Sequence, residues 1–334
     1  MFSSKKIPCN RQYLSALHVF CVLLLGMSIA CRKEADGIVW EQLNSTSDLS
    51  LESVRFYDAE IGLIGGGGLF GETVLLRTTN GGASFQHIET GTDKAVFDIF
   101  FVDSATVRAC APDNTILYSS DNALTWTLNH PYYPDLSWQP LRALHFMNKD
   151  TGFVVGGNTG SLGLIGKTTD GGASWQGSLF DNEWRDICFV NEQTGFVCGF
   201  GGVFRTHNAG EKWERLSLSG DFFMSIHFPS PIVGYVVGDQ GTIAKTDDGG
   251  DTWTILRNGN RLFQKSRHFT SVWFDDTETG WLAGNCLLWH TNDGGETWQS
   301  INDLNFVRFN DICRAADGVL YAVGDKGAII KIMD

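Results

Sequence analysis

The chain has 334 residues, of which 39 are Gly, 23 Phe and 11 Trp, and only 19% are charged. An apolar content of 43% excludes a disordered chain, and Gly without a three-residue period excludes a collagen-like one. Gly this frequent interrupts every candidate helical stretch, which excludes a long helical bundle, and a net charge of −13 argues against a nucleic-acid surface.

Residues 1–30 carry Lys5, Lys6 and Arg11 and no acid, so the remainder has a net charge of −16. A basic start, an apolar run from Leu14 to Ile29 and small residues before Cys31 have the layout of a bacterial export signal. The run, about 16 residues, is short for a membrane span. Ser28-Ile29-Ala30-Cys31 resembles a lipoprotein cleavage box in which Cys31 becomes the lipid-modified first residue, with Ser28 where Leu is usual. The expected organisation is a signal over 1–30, a short tether over 31–37 and one body over 38–334. The expected location is the bacterial cell envelope, lipid-anchored to a membrane; an uncleaved anchor and simple secretion are the alternatives. After Cys31 come Cys110, Cys188, Cys198, Cys286 and Cys313, an odd set without a C-x-x-C pair. They read as buried small hydrophobes, not as disulfides or zinc ligands.

The body is repetitive. TTNGGASF (78–85), SSDNALTW (119–126), TTDGGASW (168–175), THNAGEKW (206–213), TDDGGDTW (246–253) and TNDGGETW (291–298) share one frame, Ser/Thr-x-Asp/Asn-x-Gly-x-Ser/Thr-Trp/Phe. The closing aromatics are Phe85, Trp126, Trp175, Trp213, Trp253 and Trp298, spaced by 41, 49, 38, 40 and 45 residues. Each copy follows an apolar run ending in Phe, a polar turn with Gly, then a second apolar run and another Gly, as in LRALHFMNKDTGFVVGG (141–157). These runs read as strands A and B, followed by C, the box and D. Related A strands begin near Val54, Phe97, Phe223 and Phe309, making seven units.

The seventh unit stops at Asp334, the Asp position of a box, and Gly37-Ile38-Val39-Trp40 matches the missing half. Trp40 precedes Phe85 by 45 residues, one more period. The expected fold is therefore all-β, a seven-bladed β-propeller closed by an N-terminal strand completing the last blade. The run Gly65 to Gly68 is expected in a B-to-C connection.

The box Asp or Asn (Asn80, Asp121, Asp170, Asn208, Asp248, Asp293, Asp334) is expected to accept hydrogen bonds from its own turn. A calcium loop at Asp247, Asp248 and Asp251 would lack its later Glu, so no metal is expected, and no cofactor. The boxes resemble the BNR or Asp-box repeat of sialidases. The whole unit resembles the photosystem II assembly and stability factor family of seven-bladed propellers. That resemblance implies a non-enzymatic role, binding other polypeptides during assembly of membrane complexes, and it is specific for fold more than for function.

The most variable loops, TLNHPYYPDLSWQP (127–140) and TILRNGNRLFQKSRH (254–268), fall on the face of the D–A and B–C connections. Basic and aromatic residues gather on that face: Arg142, Arg185, Arg267, His268, Arg308, Trp138, Trp184 and Tyr132. Arg suits carboxylates and the aromatics suit a peptide or sugar. The plainer alternative has Arg142 and Arg185 pairing with Glu183 or Asp186 to pin loops. A polar ring, Ser53, Asp98, Asp186, Ser225, Ser271 and Asp311, is expected to hydrogen-bond between blades. A protein partner is the first expectation, with no nucleic acid; glycan binding or a sialidase-like glycoside hydrolase is the alternative. The sialidase reading lacks an Arg-Ile-Pro segment, and no catalytic residue is assigned.

Overall fold

The computed structural model describes residues 33–35, 37–68, 71–131, 139–158, 162–261, 267–301, 304 and 307–333. Cys31, Tyr132, Trp138 and Asp334 lie outside the described residues. Seven antiparallel sheets, six of four strands and one of five, form the blades of a propeller. Their inner strands are Leu51–Phe56, Asp98–Phe101, Leu141–Phe146, Trp184–Phe189, Phe223–His227, Phe269–Phe274 and Phe309–Arg314. Each touches the inner strand of the next blade, and the seventh touches the first, so the ring is closed.

Closure follows the expected route. Ile38–Asn44 pairs with Ala328–Met333 as the fourth strand of blade seven, with Trp40 opposite Ile332 and Asn44 opposite Ala328. The stretch expected to be only tether departs from that reading, because Lys33–Ala35 folds back onto Ile38–Trp40 as a fifth strand. Among the described residues this outer strand is the edge of its sheet, and Gly37 (φ +84°) supplies the turn.

The apolar core is divided among the boundaries between blades. Val233, Tyr235 and Val237 of blade five pack with Phe269, Val272 and Phe274 of blade six. Leu51, Val54 and Ile64 of blade one pack with Cys313, Tyr321 and Val323 of blade seven, across the seam. The Phe ending an inner strand lies flat on an aromatic of the preceding blade: Phe56 on Tyr321 (4.0 Å between centroids), Phe228 on Phe196 (4.1 Å) and Phe274 on Tyr235 (3.4 Å). The box Trp of the same blade meets that Phe edge-on, as Trp175 meets Phe146, Trp253 meets Phe228 and Trp298 meets Phe274.

The two recurrent glycines of each second strand follow from these packings. A Cβ on the first would sit 2.5 Å from the Phe146 ring at Gly152 and 2.4 Å from the Phe228 ring at Gly234. A Cβ on the second would sit 2.2 Å from Ser50 O at Gly66, 2.0 Å from Glu183 O at Gly199 and 2.0 Å from Arg308 O at Gly324. There the chain entering the inner strand crosses directly over the second strand. Gly65 to Gly68 belong to the strand Ile61–Gly68, not to a connection, and backbone closes over Gly66 (Ser50 O) and Gly67 (Glu72 O).

Each box is a cage of local hydrogen bonds. Asp170 Oδ1 accepts from Ser174 N (2.9 Å) and Thr168 Oγ1 (2.8 Å), and Oδ2 accepts from Ser174 Oγ (2.6 Å). Asp121, Asp248 and Asp293 repeat this pattern, while Asn80 and Asn208 keep the Oδ1 half of it. Hydrogen bonds from the side-chain hydroxyl and backbone N–H four residues on hold Asp121, Asp170, Asp248 and Asp293 down at about 2.

The boxes also latch neighbouring blades, a role invisible within one repeat. The third-strand residue just before the box Ser/Thr reaches the next blade's box. Arg77 Nε donates to Asn122 O (2.9 Å), Tyr118 OH to Gly172 O (2.8 Å) and Arg205 Nη1 to Gly249 O (2.8 Å). At the seam Lys331 Nζ (3.1 Å) and Tyr321 OH (2.8 Å) both donate to Gly81 O.

Candidate functional site at the channel mouth

The inner strands surround a channel, and a bulge decides what lines it. In six of the seven blades the pairing shifts between the first and third inner-strand residues, for example between Trp184 and Asp186. The extra residue brings the second and third positions together on the channel side. The fifth position follows by ordinary alternation.

The third positions are Ser53, Asp98, Ala143, Asp186, Ser225, Ser271 and Asp311. They tie blade to blade as the polar ring was expected to. Asp98 Oδ2 accepts from Leu144 N (3.0 Å), Asp186 Oδ2 from Ile226 N (2.9 Å) and Asp311 Oδ2 from Val54 N (3.0 Å). Ser225 Oγ accepts from Val272 N (3.3 Å). Ala143 leaves blade three without this link. Arg55, at a fifth position, bonds Asp98 (3.1 Å) and Asp311 (2.5 Å). Burial alone would lower the Arg55 pKa, but Asp311 and Asp98 outweigh it and raise it. Burial first, and then the Asp98 charge, pushes Asp186 up to about 6.

The second positions, Glu52, Phe97, Arg142, Arg185, Met224, Thr270 and Asn310, ring a small chamber of about 90 Å³ on the D–A/B–C side. Arg142 and Arg185 stand on adjacent blades and share one carboxylate. Arg185 Nη2 lies 2.9 Å and Arg142 Nε 3.7 Å from Glu183 Oε1, and Glu183 is fully buried. Each guanidinium also covers an aromatic ring, Arg142 over Phe97 (4.9 Å) and Arg185 over Phe222 (4.7 Å). Burial, then the charges of Arg142 and Arg308, lower Arg185 to about 10 against the pull of Glu183 and Asp239. Opposite them, Ser50 Oγ lies 2.7 Å from Glu52 Oε1 and 2.9 Å from Asp325 Oδ1, its one proton serving both carboxylates, so the mouth has a basic side and an acidic side.

The other residues singled out in the sequence divide. Arg308 is exposed on the same rim, where its backbone bridges to Asn285. Arg267 packs over Trp289 (5.2 Å), and His268 Nδ1 lies 3.3 Å from Asp239 Oδ1. Trp184 is a correction. It is fully buried, edge-on to Phe180 and Phe204, because the first inner-strand position points into the blade core. The exposed aromatic next to Arg185 is instead Phe200, which meets Phe222 edge-on and was not picked out in the sequence. Its signal was a Phe where five of the other second strands run on into Gly, Asp or Asn. Among the described residues no group of three His, Cys, Asp or Glu side chains is arranged to hold a metal ion.

A closed ring of seven blades, six of them carrying an Asp box among the described residues, defines the class: a seven-bladed β-propeller. The chain resembles the photosystem II assembly factors. The family described as "Photosynthesis system II assembly factor YCF48" matches residues 220–305. The Photosystem II assembly lipoprotein Ycf48 of Synechococcus sp. (strain CC9902) is 29% identical over 150 residues, which is 42% of this chain and 44% of that protein. The chain thus matches less than half the length of the curated relatives. Among solved structures, YCF48 bound to D1 peptide aligns with a TM-score of 0.70 at 19% identity, covering 91% of this chain and 99% of that one. An ancestral GH74 enzyme aligns with a TM-score of 0.65 at 14% identity, covering 86% of this chain and 45% of that one. The same fold therefore occurs in a protein bound to a peptide and in an enzyme.

Proposed function

We propose that this protein is a non-catalytic propeller of the cell envelope, held to a membrane by a lipid on Cys31, that docks a polypeptide segment at the D–A/B–C mouth. The observation that carries the reading is the pair Arg142 and Arg185 on the single buried carboxylate of Glu183. Two guanidiniums against one carboxylate leave a cationic excess at a half-buried mouth, and Arg308 adds to it. Such a site suits a carboxylate of an incoming chain, a side chain or a C-terminus. The exposed Phe200 beside it suits an apolar neighbour in the same segment. A bound peptide on a propeller of this fold favours a polypeptide over a glycan. The channel carboxylates support a non-catalytic role, because each accepts backbone N–H groups that fasten neighbouring blades, and Asp98 and Asp311 also hold Arg55.

The test must respect Glu183. Truncating both arginines would strand a buried carboxylate, so the informative variant is the neutral triplet R142Q/E183Q/R185Q, joined to Arg308→Ala. Affinity capture from native membranes is expected to lose its polypeptide partners in this variant while its melting transition remains cooperative. Unchanged capture overturns the docking face. For the anchor, Cys31→Ser is expected to move the protein from the membrane fraction to the soluble one.

A further inference from the structure

The channel holds a second chamber, which adjoins the arginine mouth at the ring of third-position residues and is not used by the docking proposed above. It encloses about 260 Å³, and its walls are Phe100, Phe189, Phe228, Trp273 and the imidazoles of His145 and His227. An apolar cavity of about 150 Å³ already holds a benzene. This chamber therefore has room for a small organic molecule.

The polar groups of the chamber say which kind. On the side of the blade-fastening ring it is lined by Asp98, Asp186 and Asp311 with Arg55. Arg55 bonds Asp98 and Asp311. Asp186 accepts from Ile187 N (2.8 Å) and Ile226 N (2.9 Å), and among the described residues no cation lies within ion-pair distance of it. Asp186 is half-buried, and with Arg55 taken by Asp98 and Asp311 its charge is left without a counter-ion. His145 is the second observation. Its ring sits between Phe100 (5.1 Å) and Phe189 (5.6 Å) and has no hydrogen-bond partner among the described residues. Burial keeps it neutral, down at about 4, so one ring nitrogen offers a lone pair to the chamber. His227 differs, since its Nδ1 accepts from Phe274 N (3.1 Å) while its ring stacks on Trp273 (4.6 Å).

We propose that this chamber is a binding site for a small organic cation, an alkylammonium compound, with Asp186 supplying the opposing charge, the ring walls the π faces and His145 a hydrogen-bond acceptor. Cations are drawn to aromatic faces most strongly where water is excluded. The same carboxylates oppose an anion, and a neutral molecule gains nothing from Asp186.

The test uses the full chain and two probes of one shape, choline and its uncharged analogue 3,3-dimethylbutan-1-ol, titrated calorimetrically at pH 8. Choline is expected to bind saturably and the alcohol about tenfold more weakly or worse. Asp186→Asn, which keeps an acceptor oxygen for the backbone, is expected to remove the preference for choline. Cys188→Phe, which fills the chamber, is expected to abolish binding of both. Melting curves identify any variant that fails to fold, and the two-probe comparison on the unmodified chain stands without either. Equal binding of the two probes overturns the proposal, as does absence of saturable choline binding. So does unchanged choline binding in folded Cys188→Phe.

Discussion

The two faces of the ring are built on opposite plans. On the Asp-box face one device recurs around the ring. A box cages its own turn, and a Tyr, Arg or Lys from the preceding blade grips its carbonyl, as Tyr118 grips Gly172 and Lys331 grips Gly81. On the other face the loops differ in length, and a single buried carboxylate, Glu183, organises two arginines from adjacent blades. Repetition spreads stability over many small, similar contributions, while the mouth concentrates it in one residue. A protein that must present a distinctive surface on a generic scaffold gains from this division, because the mouth can vary without loosening the ring.

The comparison can be broken most severely by opening the ring. Deleting residues 38–43 removes the fourth strand of blade seven and the buried Ile38 and Trp40. Loss of a cooperative melting transition is expected, and an unchanged transition would show that the seam does not bear on either face. Next comes Glu183→Gln, which leaves Arg142 and Arg185 without their shared charge. Removing one partner of a buried pair costs about 3 kcal/mol. Chemical denaturation is expected to register a loss of that order, well above any single change on the box face.

A third test is acidification. Burial holds His145 at about 4, and burial with the Arg55 charge does the same for His227, against an ordinary value of 6.5. Depressed values mean that their contribution is complete above pH 6.5 and is lost as pH falls towards 4. Burial raises Asp98 and, to about 6, Asp186, and both work in the opposite sense: their contribution is complete below the unfolded value and is lost as pH rises. His145→Phe removes one of the depressed groups, so relative to the unmodified chain its melting temperature is expected to gain as pH falls from 7 to 4.5. The boxes should not contribute in this interval, since Asp170 and its counterparts titrate near 2. The smallest effect is Tyr118→Phe. It deletes the bond to Gly172 O and the one received from Trp175 Nε1 (3.0 Å), for a cost of about 1 kcal/mol. A loss as large as that of Glu183→Gln would erase the contrast between the faces.

What was legible in the sequence follows the same division. The repeat announced the blades, and the half-box at Gly37–Trp40 announced the closure, because both are properties of one chain segment compared with another. The latches were half legible. Arg77, Tyr118, Lys167, Arg205 and Lys331 occupy one column before the box, but their targets lie in the next blade. The mouth was legible as residues and not as geometry. In a regular strand Arg185 and Asp186 point to opposite sides, and only the bulge turns both to the channel. Two adjacent polar residues in an otherwise apolar strand, as at Arg185-Asp186 and Asn310-Asp311, are the trace that such a bulge leaves. Trp184 went astray for the same reason: its position relative to the bulge, not its chemistry, sends it into the core.

The seam also imposes an order on synthesis. Ile38–Asn44 leaves the ribosome before any of the inner strands, and its partner Ala328–Met333 leaves after all of them. For the whole time between, this strand has only the short strand Lys33–Ala35 beside it, and blades one to six must wait for the ring to lock. A chain that is threaded across a membrane amino end first would carry that strand through ahead of all seven inner strands. Closure waits on Ala328–Met333, and a chain cut short of that strand cannot close its ring in this way.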